Sequence, residues 1–223
     1  MSKLHNAAIA DLLDEVRPSQ GNESLGEGAV MLRGFAGDEV QALVEAVQAI
    51  ADAAPFRHMI TPGGYRMSVA MTSCGRAGWV TDRAGYRYTT TDPETGRAWP
   101  PMPDGFRALA ARAAAAGGFS GFMPDSCLIN RYKPGSRLSL HQDKDEQSLE
   151  APVVSISLGL PATFLFGGMR RNDRPRRIRM ESGDVAVWGG PTRLAFHGID
   201  TLGEGEHSLT GRCRINLTFR RAL

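Results

Sequence analysis

Hydrophobic residues recur at helical spacing in one early stretch: Val40, Leu43, Val44, Val47 and Ile50 fall at i, i+3, i+4, i+7 and i+10. Such a stripe predicts a helix that starts near Asp38, buries one face and ends before Pro55. A second helix is predicted over 104–116, with Phe106, Leu109 and Ala113 on one side and Gly117-Gly118 as its stop. From Asp125 the pattern changes to short β-rich runs at 127–132, 153–158, 163–166, 177–180, 185–188, 194–197 and 212–220. Turn sequences such as Lys133-Pro134-Gly135, Gly167-Gly168 and Ser182-Gly183-Asp184 separate them. Many short strands with regular turn punctuation predict a sandwich or barrel. The expected fold is mainly β with flanking helices, a double-sheet jelly roll capped by the N-terminal helices.

Residues 58–102 show little regular periodicity and are rich in Gly, Thr, Arg and the large rings Tyr65, Trp79, Tyr86, Tyr88 and Trp99. They read either as plain loops and hairpins or as a surface that clamps a flat ligand. Residues 1–27 are polar, with a short helix expected near 7–16, and read as an appendage. The expected organisation is therefore an appendage (1–27), a helix and aromatic region (28–124) and a β-rich core (125–223), acting as one unit.

Composition narrows the chemistry more than the fold. With 223 residues, 42% apolar and 22% charged, the chain has the size and balance of one large globular domain. No run approaches the roughly 18 uninterrupted apolar residues of a membrane span. The first residues carry Asp11, Asp14 and Glu15 and lack a signal-peptide core, so a cytoplasmic protein with no membrane association is expected. Three scattered cysteines, Cys74, Cys127 and Cys213, suit neither a disulfide framework nor a CxxC site, so any metal must be held by His and carboxylate. A net charge of +2 does not announce a nucleic-acid binder. The local cluster Arg170, Arg171, Arg174, Arg176, Arg177 and Arg179 is either a solvated hairpin turn or a phosphate-contacting edge.

The sharpest chemical signal is His141-Gln142-Asp143. In an extended segment residues i and i+2 share a face, so one strand presents imidazole and carboxylate together. A distant second His would complete a 2-His-1-carboxylate facial triad, which leaves coordination positions open for cosubstrate and oxygen. Alone, His-x-Asp is a weak signal. Of the five histidines, His5 lies in the appendage, His58 in the aromatic region and His207 in a Gly-Glu-rich turn. His197 instead ends the strand-like Leu194-Ala195-Phe196-His197 and is the candidate third ligand.

The closing run alternates cleanly: Arg214, Asn216, Thr218 and Arg220 share one face, and Ile215, Leu217 and Phe219 the other. This is either a solvated edge strand or a site for a dicarboxylate, since a planar guanidinium matches a carboxylate. Asn130 and Tyr132 share one face of an earlier strand and could complete the hydrogen bonding of such a site.

Together, Asn130-Arg131-Tyr132, His141-Gln142-Asp143-Lys144-Asp145, His197 and Arg214-Ile215-Asn216-Leu217-Thr218-Phe219-Arg220 resemble the bacterial AlkB group of 2-oxoglutarate dioxygenases. So do Thr61-Pro62-Gly63-Gly64-Tyr65, Ser155-Ile156-Ser157-Leu158-Gly159-Leu160-Pro161 and Trp188-Gly189-Gly190, in order from about Gly28 to Arg220. The resemblance implies an Fe(II)- and 2-oxoglutarate-dependent demethylase that uses oxygen to remove alkyl groups from bases such as 1-methyladenine and 3-methylcytosine. It implies release of succinate, carbon dioxide and formaldehyde. His141, Asp143 and His197 would hold the iron; Arg214 and Arg220 would hold the C5 and C1 carboxylates, helped by Asn130, Tyr132 and Asn216. Trp79, Tyr86, Arg87, Tyr88, Asp145 and Arg171 would contact alkylated single-stranded or duplex DNA, or RNA, with the region before residue 125 forming a nucleotide-recognition lid. No obligate protein partner is implied. Two other classes share parts of this pattern: a 2-oxoglutarate hydroxylase of proteins or small molecules, and a non-catalytic β-sandwich that binds nucleic acid.

Overall fold

The computed structural model describes residues 21–223, so the short helix expected near 7–16 and His5 lie outside the described residues. The frame is a large antiparallel sheet of seven strands, facing a smaller one of four. The large sheet takes β1 (Asn22–Gly26), β2 (Ala29–Leu32), β3 (Ala70–Gly75), β6 (Ser126–Tyr132), β8 (Val153–Gly159), β11 (Val185–Trp188) and β13 (Arg214–Arg220). Their order across the sheet is β1-β2-β11-β8-β13-β6-β3. The small sheet, in the order β10-β9-β12-β7, takes β7 (Leu138–His141), β9 (Ala162–Phe166), β10 (Arg176–Met180) and β12 (His197–Ile199). A separate hairpin joins β4 (Gly78–Asp82) to β5 (Gly85–Thr89). This is the jelly roll that the strand pattern predicts.

Both helices form where the apolar spacing places them, α1 at Val40–Ala53 and α2 at Asp104–Ala116. They cover the outer face of the large sheet. There Val40, Leu43, Val47 and Ile50 of α1 and Phe106, Leu109 and Ala113 of α2 join Ile129, Ile156, Val185, Leu217 and Phe219 in one apolar cluster. Phe106 meets Phe219 edge-on, with ring centroids 5.8 Å apart. At the end of α2, Gly117 is required by closeness: a Cβ there would lie 2.8 Å from Val187 Cγ1. The second cluster fills the space between the sheets, with Met31, Met71, Leu128 and Trp188 from one side and Phe164, Phe166, Ile178 and Ile199 from the other. The large sheet is thus buried on both faces, which is why β8 and β13 are buried at every position.

Four expectations are corrected by this arrangement. The stretch 58–102 holds more than loops and hairpins: besides the expected kind of hairpin, β4–β5, it contains β3, which pairs with β6 in the large sheet. The strand expected at 194–197 begins only at His197, because Gly190–Thr192 forms a 3₁₀ turn first. β13 is no edge strand, since it pairs with β6 on one side and β8 on the other. Finally, the boundary at residue 27 falls between the two strands of a hairpin, and the large sheet draws strands from both sides of residue 125. Asp184 ties the early segment down, accepting Arg33 Nη1 at 2.8 Å and the Gly34 amide at 2.8 Å.

Leu217 is fully buried at the centre of β13, between the helices and the sheet. Truncating it to alanine removes buried methyl groups and leaves a void that the surrounding strands cannot close. Leu217→Ala is expected to cost about 2–5 kcal/mol of unfolding free energy in a urea titration; a loss under about 1 kcal/mol would contradict this packing.

Candidate metal centre and substrate cavity

His141 and His197 reach each other because β7 and β12 are paired strands in which these two residues are direct cross-strand partners. Their rings stand 4.4 Å apart between centroids. The close approach of the strands depends on Gly198, where a Cβ would lie only 2.5 Å from the Leu138 carbonyl oxygen. Asp143 follows two residues after His141. Its Oδ1 lies 3.7 Å from His141 Nε2 and its Oδ2 lies 3.6 Å from His197 Nε2. Ligand atoms of these three residues all lie within 4.8 Å of one another, and they are the only such His/Cys/Asp/Glu group among the described residues.

The backbone decides which ring nitrogens face the centre. His141 Nδ1 lies 2.9 Å from the Ser139 carbonyl oxygen, and His197 Nδ1 lies 3.0 Å from that of Ala195. A carbonyl oxygen only accepts, so each Nδ1 carries the hydrogen and each Nε2 keeps a free lone pair turned toward Asp143. Burial and the neighbouring His141 push the His197 imidazole down to about 4, against the pull of Asp143. Burial alone would raise Asp143, but Arg220, His197 and His141 beside it hold its carboxyl below the usual carboxylate range. Two imidazole Nε2 atoms and a carboxylate form a donor set that fits a divalent metal such as iron(II).

The two arginines of β13 differ sharply in what they meet. Arg220 Nε and Nη2 donate to Asp143 Oδ2 at 2.9 and 2.7 Å, and Nε also lies 3.3 Å from Glu146 Oε1. Burial would lower the Arg220 guanidinium; Asp143, Tyr88 and Glu146 raise it instead. Arg214 is fully buried, donates Nε to Ser157 Oγ at 3.0 Å and lies 5.0 Å from the Tyr132 ring centroid. Its Nη1 and Nη2 have no hydrogen-bond partner among the described residues. Burial lowers this guanidinium, opposed only by Tyr132. A buried cation with two unused donors is costly unless an anion arrives, which is the fit expected for a carboxylate cosubstrate.

Above the metal centre opens a cavity of about 830 Å³. Asn130, Tyr132, Asn216, Thr218 and Arg220 line it, as do Trp79, Tyr86, Tyr88, Asp145 and Arg171. The β4–β5 hairpin supplies the aromatic wall. Trp79 pairs with Tyr88 across its strands, and the Trp79 and Tyr86 rings stack at 5.7 Å and 19°. Trp79 Nε1 donates to Asp145 Oδ2 at 2.8 Å, and Tyr88 Oη donates to Glu146 Oε1 at 2.9 Å. Arg87 is the one expected substrate contact that does not line the cavity. Strand alternation turns it to the other side of the hairpin, where its Nη2 lies 2.7 Å from Asp82 Oδ2.

The basic cluster divides between its two readings. Arg176 pairs with Glu23, Arg177 with Asp200 and Arg179 with Glu181 on the surface, whereas Arg171 lies over the Phe196 ring at 5.8 Å and lines the cavity. Two buried charges around the metal centre, Glu146 and Arg193, are not among the residues the sequence singles out. Glu146 was hidden in the Lys144-Asp145-Glu146 run, which looks solvated. Arg193 carried a usable signal, being the only charged residue between Asp184 and His197.

Comparison with known proteins agrees with this geometry. The model of the 2OG-Fe(II) oxygenase superfamily matches residues 28–220. The chain is 56% identical over 214 residues to the alpha-ketoglutarate-dependent dioxygenase AlkB of Escherichia coli (strain K12), covering 96% of this chain and 98% of that protein. It is 34% identical over 125 residues to the nucleic acid dioxygenase ALKBH1 of Mus musculus, covering 56% of this chain and 32% of that one. The solved structure of OsALKBH1 superposes with a TM-score of 0.79 at 30% identity, over 90% of this chain and 100% of the other. The sheet order, the His-Asp-His cluster and these likenesses agree, and the chain belongs to the 2OG-Fe(II) oxygenase superfamily as an AlkB-type, alpha-ketoglutarate-dependent dioxygenase.

Proposed function

We propose that this protein repairs N-alkylated bases, such as 1-methyladenine and 3-methylcytosine, by oxidative dealkylation of single-stranded or duplex DNA, or of RNA. The observation that carries this reading is a three-residue metal site at the foot of a cavity walled by stacked aromatic rings, with a buried arginine, Arg214, whose Nη1 and Nη2 have no partner among the described residues, on the strand that also supplies Arg220. Iron(II) bound with 2-oxoglutarate and oxygen supplies hydroxylation of the alkyl carbon, with succinate and carbon dioxide as co-products and formaldehyde lost from the unstable hydroxymethyl group.

The chain's own residues hold and orient. His141 Nε2, His197 Nε2 and the Asp143 carboxylate hold the metal. Arg214, with Asn130, Tyr132 and Asn216 nearby, receives the C5 carboxylate of 2-oxoglutarate, and Arg220 serves the C1 end while steadying Asp143. A base must leave its stack to enter, at a cost of a few kcal/mol that is least for a lesion that cannot pair. Trp79 and Tyr86 offer it a ring to lie on, Asp145 offers an acceptor for an exocyclic amino group or a cationic base, and Arg171 offers a phosphate contact at the mouth. The region before residue 125, with the β4–β5 hairpin at its centre, acts as the nucleotide-recognition lid. No helix among the described residues is long and apolar enough to cross a membrane. Cys74, Cys127 and Cys213 are free thiols, in keeping with action in the reducing cytoplasm.

An oligonucleotide carrying 1-methyladenine, incubated with the enzyme, Fe(II) and 2-oxoglutarate, is expected to lose the mass of one methylene while formaldehyde appears. Unmodified oligonucleotide should not stimulate succinate formation, and His141→Ala should abolish the reaction; full activity in that variant would remove the metal assignment. Arg214 gives a separate expectation. Because its charge lacks an anionic partner, Arg214→Met should leave the melting temperature of the metal-free protein unchanged or higher. The same variant should weaken 2-oxoglutarate binding, measured by calorimetry with Mn(II) present, by about 10-fold or more, the value of a charge-assisted hydrogen bond. Wild-type cosubstrate affinity in Arg214→Met would contradict the assignment.

A further inference from the structure

Arg193 lies outside the metal ligands and the cavity wall, yet its guanidinium is buried, with two nitrogens donating to main-chain carbonyls and the third beside a carboxylate. Nη1 donates to the Asp143 backbone carbonyl at 2.7 Å, and Nε donates to the Ala151 carbonyl at 2.8 Å. Nη2 lies 3.2 Å from Glu146 Oε2, with the two side chains 4% and 1% exposed. All three partners belong to one irregular segment, 143–151, which contains the metal carboxylate and has no strand of its own to fix it. Arg193 itself sits just after the 3₁₀ turn Gly190–Thr192, two residues before Ala195, whose carbonyl orients His197. A neighbouring bond, Gln142 Nε2 to the Leu194 carbonyl at 2.6 Å, joins the same two segments.

The charges close a ring. Asp143 holds Arg220, Arg220 lies beside Glu146, Glu146 lies beside Arg193, and Arg193 returns to the main chain of Asp143. Two carboxylates and two guanidiniums alternate in it, so no charge is left without an opposite neighbour. Remove Arg193 and Glu146 becomes a buried carboxylate with Arg220 as its one remaining cation. Glu146 would then compete with Asp143 for that cation, while the backbone of Asp143 loses its anchor.

We propose that Arg193 is a positioning residue for the metal centre: it fixes the main chain of Asp143 and occupies Glu146, so that the Asp143 carboxylate stays aimed at the metal beside His197. The inference rests on the reading that His141, Asp143 and His197 hold the metal, and its test keeps the two apart. Metal-free wild type, His141→Ala, Arg193→Gln, Arg193→Lys and Arg33→Gln are titrated with Co(II) alone, followed by visible absorption, and their melting temperatures are measured. Arg33 serves as comparison because it also pairs with a buried carboxylate, Asp184, at 2.8 Å, just after β2 and away from the metal ligands.

Arg193→Gln is expected to weaken Co(II) binding by about 10–100-fold, the range typical when a group that orients a metal ligand is lost. Arg193→Lys, which keeps the charge but cannot reach three partners, should fall in between. Arg33→Gln should melt earlier with unchanged Co(II) affinity. Wild-type affinity in Arg193→Lys and Arg193→Gln overturns the proposal; if Arg193→Gln does not fold, wild-type affinity in Arg193→Lys alone does so. If wild type binds Co(II) no better than His141→Ala, the metal reading itself fails and this proposal fails with it.

Discussion

Asp143 is a carboxylate carried into the interior of a β-sandwich, where a bare negative charge is strongly disfavoured and protonation is the usual escape. A protonated Asp143 would be a poor metal ligand. What prevents it is Arg220, which reaches from an interior strand of the large sheet to donate twice to one carboxylate oxygen. The two imidazoles complete the arrangement, since their outer nitrogens are already committed to backbone carbonyls. The three ligands are therefore held in place by contacts of the chain itself. The strands that assemble the centre come from both sheets, so the sandwich must close for it to exist.

Arg214 and Arg220 lie on the same face of the same strand, and their environments divide binding from assembly. Arg220 is held by carboxylates of the chain itself through Nε and Nη2, whereas Arg214 offers two donors with nothing among the described residues to receive them. A fold that retains such an unmatched cation gives up stability at that position in exchange for affinity toward an incoming anion. The aromatic hairpin has a related character. Its tryptophan already holds Asp145, and its tyrosine already holds Glu146, so the hairpin is tied to segment 143–151 by polar contacts rather than by apolar packing alone.

Much of this was legible in the chain. Period-3.6 and period-2 patterns place α1, α2 and most core strands, and the alternation of β13 separates its polar from its apolar side correctly. His-x-Asp and His197 were legible because strand geometry makes i and i+2 neighbours and because the other histidines sit in unsuitable settings. The missed elements share a cause. β1, β2 and β3 are short strands whose identity depends on the partner they find across the sheet rather than on their own pattern. Glu146 and Arg193 were illegible as a pair, because burial of a charge is decided by a counter-charge brought in by the fold. Arg87, flanked by Tyr86 and Tyr88 in the sequence, is turned by the pleat to the other side of the hairpin, where it pairs with Asp82.

The outer rim of the small sheet has a consequence for how these molecules coexist at high concentration. β10 ends that sheet, and it sends Arg176, Arg177 and Arg179 outward while Ile178 and Met180 turn in. An unprotected terminal strand is a template on which another polypeptide can extend the hydrogen-bond ladder. Here any chain docking alongside would have to strip water from three guanidiniums and disturb their acidic companions Glu23, Asp200 and Glu181. The arginines thereby keep the barrel's open flank from becoming a seed for self-association.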